Sequence, residues 1–225
     1  MPKITTRKGM NRSTEDYVKG IYHLQSGRAN VPTSVLANHL KVRDGSVTGM
    51  LKKLSQEHLI NYARYKGVNL TPTGKKLALT LLRRHRLWEM FLVKFLSYTW
   101  DEVHDEAEKF EHVISNELER RLDRALGYPK VDPHGDPIPS KEGRLQIQSA
   151  ETLGKCSAGD RVEIVRVSDR DPGVLQHAAK LGLSLNKKIT VEENRIFDGS
   201  MVVTVGKRKQ FISALVASSI FVQFV

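Results

Sequence analysis

The stretch HDEAEKFEHV, residues 104–113, gathers two imidazoles and several carboxylates close together in a strongly basic chain. Such side chains, without thiolate, are ligands for a divalent cation of hard or borderline character. Glu, Ala and Lys favour a helix here. On a helix His104, Glu108, Glu111 and His112 fall at i, i+4, i+7 and i+8, on one face. Asp105, Glu106 and Lys109 lie off that face, while Ala107, Phe110 and Ile114 can pack inward. Upstream, His85 and Glu89 repeat the i, i+4 spacing. Taken singly, each of these residues is more often a solvated or ion-paired group than a ligand. As a set of six on two successive helices they can enclose a cation. This donor set suits Mn(II) or Fe(II), although Zn(II), Co(II) and Ni(II) would also bind, and donor type alone does not name the physiological ion. His23, His39 and His58 have no acidic partner at helical spacing and receive no metal role.

Elements must hold these residues in place. Ser13 reads as an N-cap with Asp16 at the capping-box position, opening a first helix with Tyr17, Val18, Ile21 and Tyr22 on its apolar side. After a turn at SGRANVP, TSVLANHL forms a second short helix, and Asp44 caps a third, SVTGMLKKLSQEHLI. Three short helices, the last two joined by a tight turn, describe a helix-turn-helix. NYARYKGVNL turns around Gly67 as a hairpin, the wing of a winged domain. Thr71 and Pro72 supply an N-cap and first position for a long helix through Leu96. A further helix is expected from about Trp100 to Leu126. GYPKVDPHGDPIPSKEG holds four of the eight prolines and three glycines, which marks a linker. Beyond it RVEIVRV, KKITVEE, SMVVTV and IFVQFV read as strands around one helical insert, PGVLQHAAKLGL, a small β-barrel. The fold class is therefore mainly α with a small β domain. The expected domains are a winged helix-turn-helix over 1–74, a helical domain carrying the candidate metal ligands over 75–140, a linker over 141–147 and a β-barrel over 148–225.

At 225 residues, 40% hydrophobic and 27% charged, the chain can bury two modest cores. MPKITTRKG contains no apolar run, and FISALVASSIFVQFV is too short and too polar to span a bilayer. A soluble, cytoplasmic protein without a membrane partner is expected. The single cysteine, Cys156, excludes an intrachain disulfide and a Cys-rich zinc site. Paired Glu-x-x-His motifs of a dimetal carboxylate enzyme are missing, since Glu111 stands three residues after Glu108, and no Ser-His-Asp or Gly-rich phosphate signature appears. An enzyme is not expected.

Net charge is +11, and its distribution is uneven. Residues 1–100 hold 18 Lys+Arg against 5 Asp+Glu, whereas 101–141 hold 6 against 11. Segregation of this kind points to a polyanion partner for the N-terminal part, and the helix-turn-helix names it as double-stranded DNA. The third helix is expected to enter the major groove, with Arg43, Ser46 and Thr48 facing base edges, Lys52 and Lys53 meeting phosphates, and Arg64 and Lys66 on the wing reaching the backbone or minor groove.

STEDYVKGIYHL, SVTGMLKKL, LTPTGKKLA, RRHRLWE, VHDEAEKFEHVISNELERRL and DPHGDPIP follow one another from residue 13 to about 140. Together they resemble the diphtheria toxin repressor family of metal-dependent regulators, which includes the manganese transport regulators, and the C-terminal part resembles the SH3-like (FeoA-like) domain of its longer members. The resemblance implies a homodimer that binds a palindromic operator of metal-uptake genes when metal is present. It also implies two metal positions per subunit, one from His85, Glu89 and His104 and one from Asp16, Glu108, Glu111 and His112. Asp16 stands where iron-responsive members often carry Met, and Glu108 where they often carry Cys; both replacements harden the site and favour the manganese branch. The family's barrel lends a further polar ligand, and in SDRDPG the choice lies between Asp169, Asp171 and neither. Because histidine ligands must be neutral, metal activation is expected to weaken below about pH 6.5.

Overall fold

The computed structural model describes residues 11–25, 28–146 and 149–225. MPKITTRKG lies outside them, as do Ser26 and Gly27 of the SGRANVP turn, Ile147 at the end of the expected linker and Gln148 at the start of the expected β-barrel. The chain forms two compact units. One contains residues up to Arg84 with 111–114 and 139–145; the other contains 85–110, 115–138 and the residues from 146 onward.

In the first unit α1 (Arg12–Leu24), α2 (Thr33–Leu40) and α3 (Asp44–Gln56) precede a hairpin of β1 (Ile60–Ala63) and β2 (Gly67–Leu70). Tyr17, Val18 and Ile21 of α1 pack with Leu36 of α2, Val47, Leu51 and Leu54 of α3 and Val68 of β2, so the 3.6-residue stripe of each helix closes one core. Gly67 turns the hairpin at φ +84°, and a Cβ there would lie 2.6 Å from the Val31 carbonyl, because Val31 pairs with Val68 beside the hairpin. The helix starts differ from the sequence reading. Asn11 caps α1, its side chain accepting from the Ser13 amide, which leaves Asp16 inside the helix and free of capping. Arg43 occupies the N-cap of α3 without a side-chain bond, and Asp44 is the first helical residue, where its charge complements the helix dipole. Thr71 does cap α4 (Pro72–Leu96), its hydroxyl accepting from the Gly74 amide.

The second unit holds the later turns of α4 with α5 (Val103–Phe110) and α6 (Asn116–Ala125), followed by a six-stranded antiparallel sheet. Its strands β3 (Glu151–Thr152), β4 (Arg161–Val167), β5 (Lys188–Asn194), β6 (Met201–Val205), β7 (Arg208–Ile212) and β8 (Ile220–Phe224) lie in the order β3-β8-β4-β5-β6-β7. Alternating Val162, Ile164, Ile189, Val191, Met201 and Val203 point to a core that α7 (Pro172–Lys180) and α8 (Ala214–Ser219) also cover. The two-residue β3, the strand β7 and the helix α8 are additions to the elements read from sequence.

Two expectations are corrected. The helix expected from Trp100 to Leu126 is two helices, because Ser115 caps α6 by accepting from the Leu118 amide and the intervening 111–114 belong to the first unit. Glu111 and His112 therefore do not share a helix face with His104 and Glu108. The Pro- and Gly-rich 127–138 is an ordered loop rather than a linker. Asp132 is buried, and its Oδ1 accepts from the His134 and Asp136 amides. Gly135, at φ +89°, lies so close to β4 that a Cβ would meet the Val165 carbonyl at 2.1 Å. The contact falls at the β-bulge between Ile164 and Arg166, and Val167 donates its amide to the His134 carbonyl. The loop is thereby anchored to the sheet.

Candidate metal centre

One helical turn separates His85 from Glu89 on α4, and α5 brings His104 to them. His85 Nε2 lies 3.0 Å from Glu89 Oε1 and 3.1 Å from His104 Nδ1, and the third side of the triangle, His104 Nδ1 to Glu89 Oε1, is 3.4 Å. Donor atoms at about 2.1 Å from a six-coordinate ion are separated by about 3 Å at right angles, so the three atoms have the spacing of one face of a coordination shell. Glu89 is fully buried and His85 nearly so, whereas the His104 side chain is 42% exposed and opens the group to solvent.

A second arc of donors completes the surroundings of Glu89. His134 Nδ1 lies 4.0 Å from Glu89 Oε2, and Asp169 Oδ2 lies 3.9 Å from His104 Nδ1. Glu89, His134 and Asp169 each direct a ligand atom to within 4.8 Å of the others. His134 Nε2 is 2.6 Å from the Trp100 carbonyl, which can only accept, so Nε2 carries the proton and Nδ1 presents its lone pair toward Glu89. Among the described residues, Glu89 Oε2 and His134 Nδ1 are buried without a hydrogen-bond partner. Buried acceptors left without a hydrogen-bond partner are destabilising unless a cation joins them, and both residues fit a divalent metal. Burial alone would raise the Glu89 carboxyl, but the His85, His104 and His134 rings together hold it below the ordinary carboxylate range. Asp132 behind His134 moves the other way. Burial, Glu89 and Asp136 push it well up against the pull of Arg86, whose Nε is 3.3 Å from Asp132 Oδ2.

No local signal in the sequence marks His134 as a ligand, because DPHGDP reads as a linker and the spacing from Glu89 is not periodic. Of the two aspartates in SDRDPG, Asp169 faces the group; Asp171 caps α7, accepting from the Gly173 amide.

The first unit carries a separate cluster. His112 Nδ1 lies 2.6 Å from Glu15 Oε2, while its Nε2 is 3.1 Å from Asp16 Oδ1 and 3.5 Å from Glu111 Oε1. Glu111 is fully buried, and Lys19 donates to both of its carboxylate oxygens at 2.8 Å. Hydrogen bonds to Asp16 and Glu15, with Glu111 and Asp16 charges adding, raise His112 to about 9. Asp16, Glu111 and His112 are thus brought together, with Glu15 as an unexpected fourth member that fixes the ring through Nδ1. Glu108 is exposed on α5, in the second unit.

The expected DNA-facing residues lie on the surface of the first unit. Arg43, Ser46, Lys52, Arg64 and Lys66 are exposed and Thr48 is half-buried, its hydroxyl donating to the Asp44 carbonyl. Arg64 also stacks over the exposed Tyr65 ring, 4.9 Å from its centre.

Comparison with known proteins accounts for both units. The iron dependent repressor N-terminal DNA binding domain matches residues 10–68, the iron dependent repressor metal binding and dimerisation domain matches 71–140, and the FeoA domain matches 151–224. The iron-dependent repressor IdeR of Mycobacterium bovis is 35% identical over 72% of this chain and 67% of its own length. A manganese-dependent transcriptional repressor solved in complex with manganese superposes with a TM-score of 0.85 at 37% identity, over 94% of this chain and 100% of that one. The manganese regulator SloR follows at 0.75 and 33%, over 96% and 100%. With these modules matched in order, the chain belongs to the diphtheria toxin repressor family of metal-dependent transcriptional repressors, which bind DNA and are not enzymes.

Proposed function

We propose that this chain represses metal-uptake genes in the cytoplasm by binding a palindromic operator as a homodimer when Mn(II) is bound, with Fe(II) the second candidate effector and Zn(II), Co(II) and Ni(II) competent in vitro. The observation that carries the reading is the meeting of Glu15 and Asp16 of α1 with His112 at 2.6 and 3.1 Å, which ties a helix of the DNA-binding fold to a donor cluster. His85, Glu89 and His104, with His134 and Asp169, would hold one ion; Asp16, Glu111 and His112 would hold another, joined by Glu108 on the strength of sequence resemblance alone. A bound divalent ion supplies the positive charge that offsets repulsion among these carboxylates. With such an ion held by Asp16, Glu111 and His112, His112 would give up its Nε2 proton to solvent while Glu15 would keep the ring oriented through Nδ1. A restrained α1 limits the orientations of α3, so that Arg43, Ser46 and Thr48 face base edges, Lys52 contacts phosphate, and Arg64 and Lys66 on the wing reach the backbone or minor groove. Binding of metal and of DNA must strengthen each other by one factor, commonly about 1–3 kcal/mol.

Oxygen donors at Asp16 and Glu108 favour manganese, and the likeness to manganese-dependent repressors supports it. The likeness to iron-dependent repressors supports the second reading. Fluorescence anisotropy on a metal-transporter promoter fragment, titrated anaerobically with Mn(II) or Fe(II) beside a chelated control, tests both. Tight binding only with metal supports the proposal, and the ion effective at its cellular free concentration names the effector. Equal binding in all three conditions overturns it.

A further inference from the structure

Lys19 has no place in the donor sets described so far, yet it lies inside one of them. It follows Glu15 and Asp16 by one helical turn on α1, is 8% exposed, and sets its ammonium 2.8 Å from both oxygens of the fully buried Glu111. Glu111 Oε1 is in turn 3.5 Å from His112 Nε2, the atom that also faces Asp16. An ammonium donates but cannot accept, so each of its contacts uses a carboxylate lone pair that a metal would otherwise take.

We propose that Lys19 sets the metal affinity of the cluster formed by Asp16, Glu111 and His112, acting as a resident cation that competes with the divalent ion for the Glu111 carboxylate. The inference rests on the reading that these three residues bind metal. An ion entering beside Glu111 must either displace the ammonium or remain next to it, and both routes oppose binding, because like charges a few ångströms apart repel strongly where burial excludes water. The same ion pair links α1 to the segment 111–114 through protein groups alone. Lys19 therefore raises the metal concentration needed for binding while keeping the two segments together below that threshold. Lys19 is a positioning and affinity-setting residue, not a ligand.

The test is a charge series at position 19 in the full chain, read by loss of the free Mn(II) electron paramagnetic resonance signal. A background of Glu89→Gln with His104→Ala, which removes the carboxylate common to both donor arcs, disables the other cluster, and circular dichroism checks folding. Lys19→Met, which keeps length and apolar volume, is expected to tighten Mn(II) binding by at least about tenfold; Lys19→Glu should tighten it further, and Lys19→Arg should leave it near the parental value. Unchanged or weaker binding in Lys19→Met, with Lys19→Arg normal, overturns the proposal, as it would mean that the ammonium merely orients Glu111. Adding His112→Ala separates the two levels of inference. If the background protein binds Mn(II) and His112→Ala does not reduce it, the assignment of the cluster falls and the role of Lys19 falls with it.

Discussion

The two donor clusters use the same chemistry, imidazole and carboxylate, and handle their charge in opposite ways. Around Glu89, His85 and His104 gather at one carboxylate oxygen, while Glu89 Oε2 and His134 Nδ1 are buried without a hydrogen-bond partner. Around Glu111, protein cations already occupy the acceptors, with Lys19 on Glu111 and a readily protonated His112 between Glu15 and Asp16. The difference teaches how one chain can divide labour between sites. A cluster with orphaned acceptors is preorganised and gains most from an ion, whereas one neutralised from within has two satisfied states and can act as a switch.

The largest effect that would break this contrast is expected at Glu89. Glu89→Gln removes the one carboxylate shared by both donor arcs and should weaken Mn(II) at that position by about 100-fold or more, seen as the loss of one tight equivalent by calorimetry; retention of that equivalent would show the buried group to be structural. Gly135→Ala should destabilise the protein by about 3 kcal/mol, since the added carbon meets the Val165 carbonyl in a left-handed backbone. Chemical denaturation measures it, and a change below 1 kcal/mol, roughly the size of an ordinary point substitution, would mean that the loop is not anchored as described. His134→Ala should weaken metal at the Glu89 cluster by about 10- to 100-fold while leaving the other cluster unchanged.

A smaller effect sharpens the contrast from the other side. Because folding raises His112 from 6.5 to about 9, its stabilisation of the metal-free protein is complete below pH 6.5 and is lost as pH rises through about 9. Thermal unfolding with chelator present should fall across that window, and His112→Ala should flatten the dependence. Metal uptake at pH 7.5 should release a proton from this ring, which titration in buffers of different ionisation enthalpy can detect; no release would place the ion elsewhere. The smallest effect is expected on the wing, where Lys66→Ala should lower the salt slope of DNA binding by about one and weaken binding equally across operator sequences.

Legibility in the sequence followed the range of the interactions. The helix-turn-helix and its wing could be read because apolar periodicity and turn residues are local signals, and His85 with Glu89 could be read because both lie on one uninterrupted helix. The reading across 104–112 failed at Phe110. Residue types there favour helix, but Ser115 starts a new one, and the burial of Glu111 and Ile114 draws the segment into the other unit. Glu15 was overlooked because a glutamate in the first turn of a helix ordinarily serves the dipole.

The sequence by itself determined the donor types, the basic balance of the N-terminal part and the order of the elements, since composition and short-range periodicity carry all of these. Only the tertiary structure decided that His134 and Asp169 converge on Glu89, that Asp171 caps a helix instead, and that Lys19 sits on Glu111. Those pairings join residues far apart along the chain through a buried loop, a β-bulge and the end of a helix, and no local propensity records which distant partner a side chain will meet.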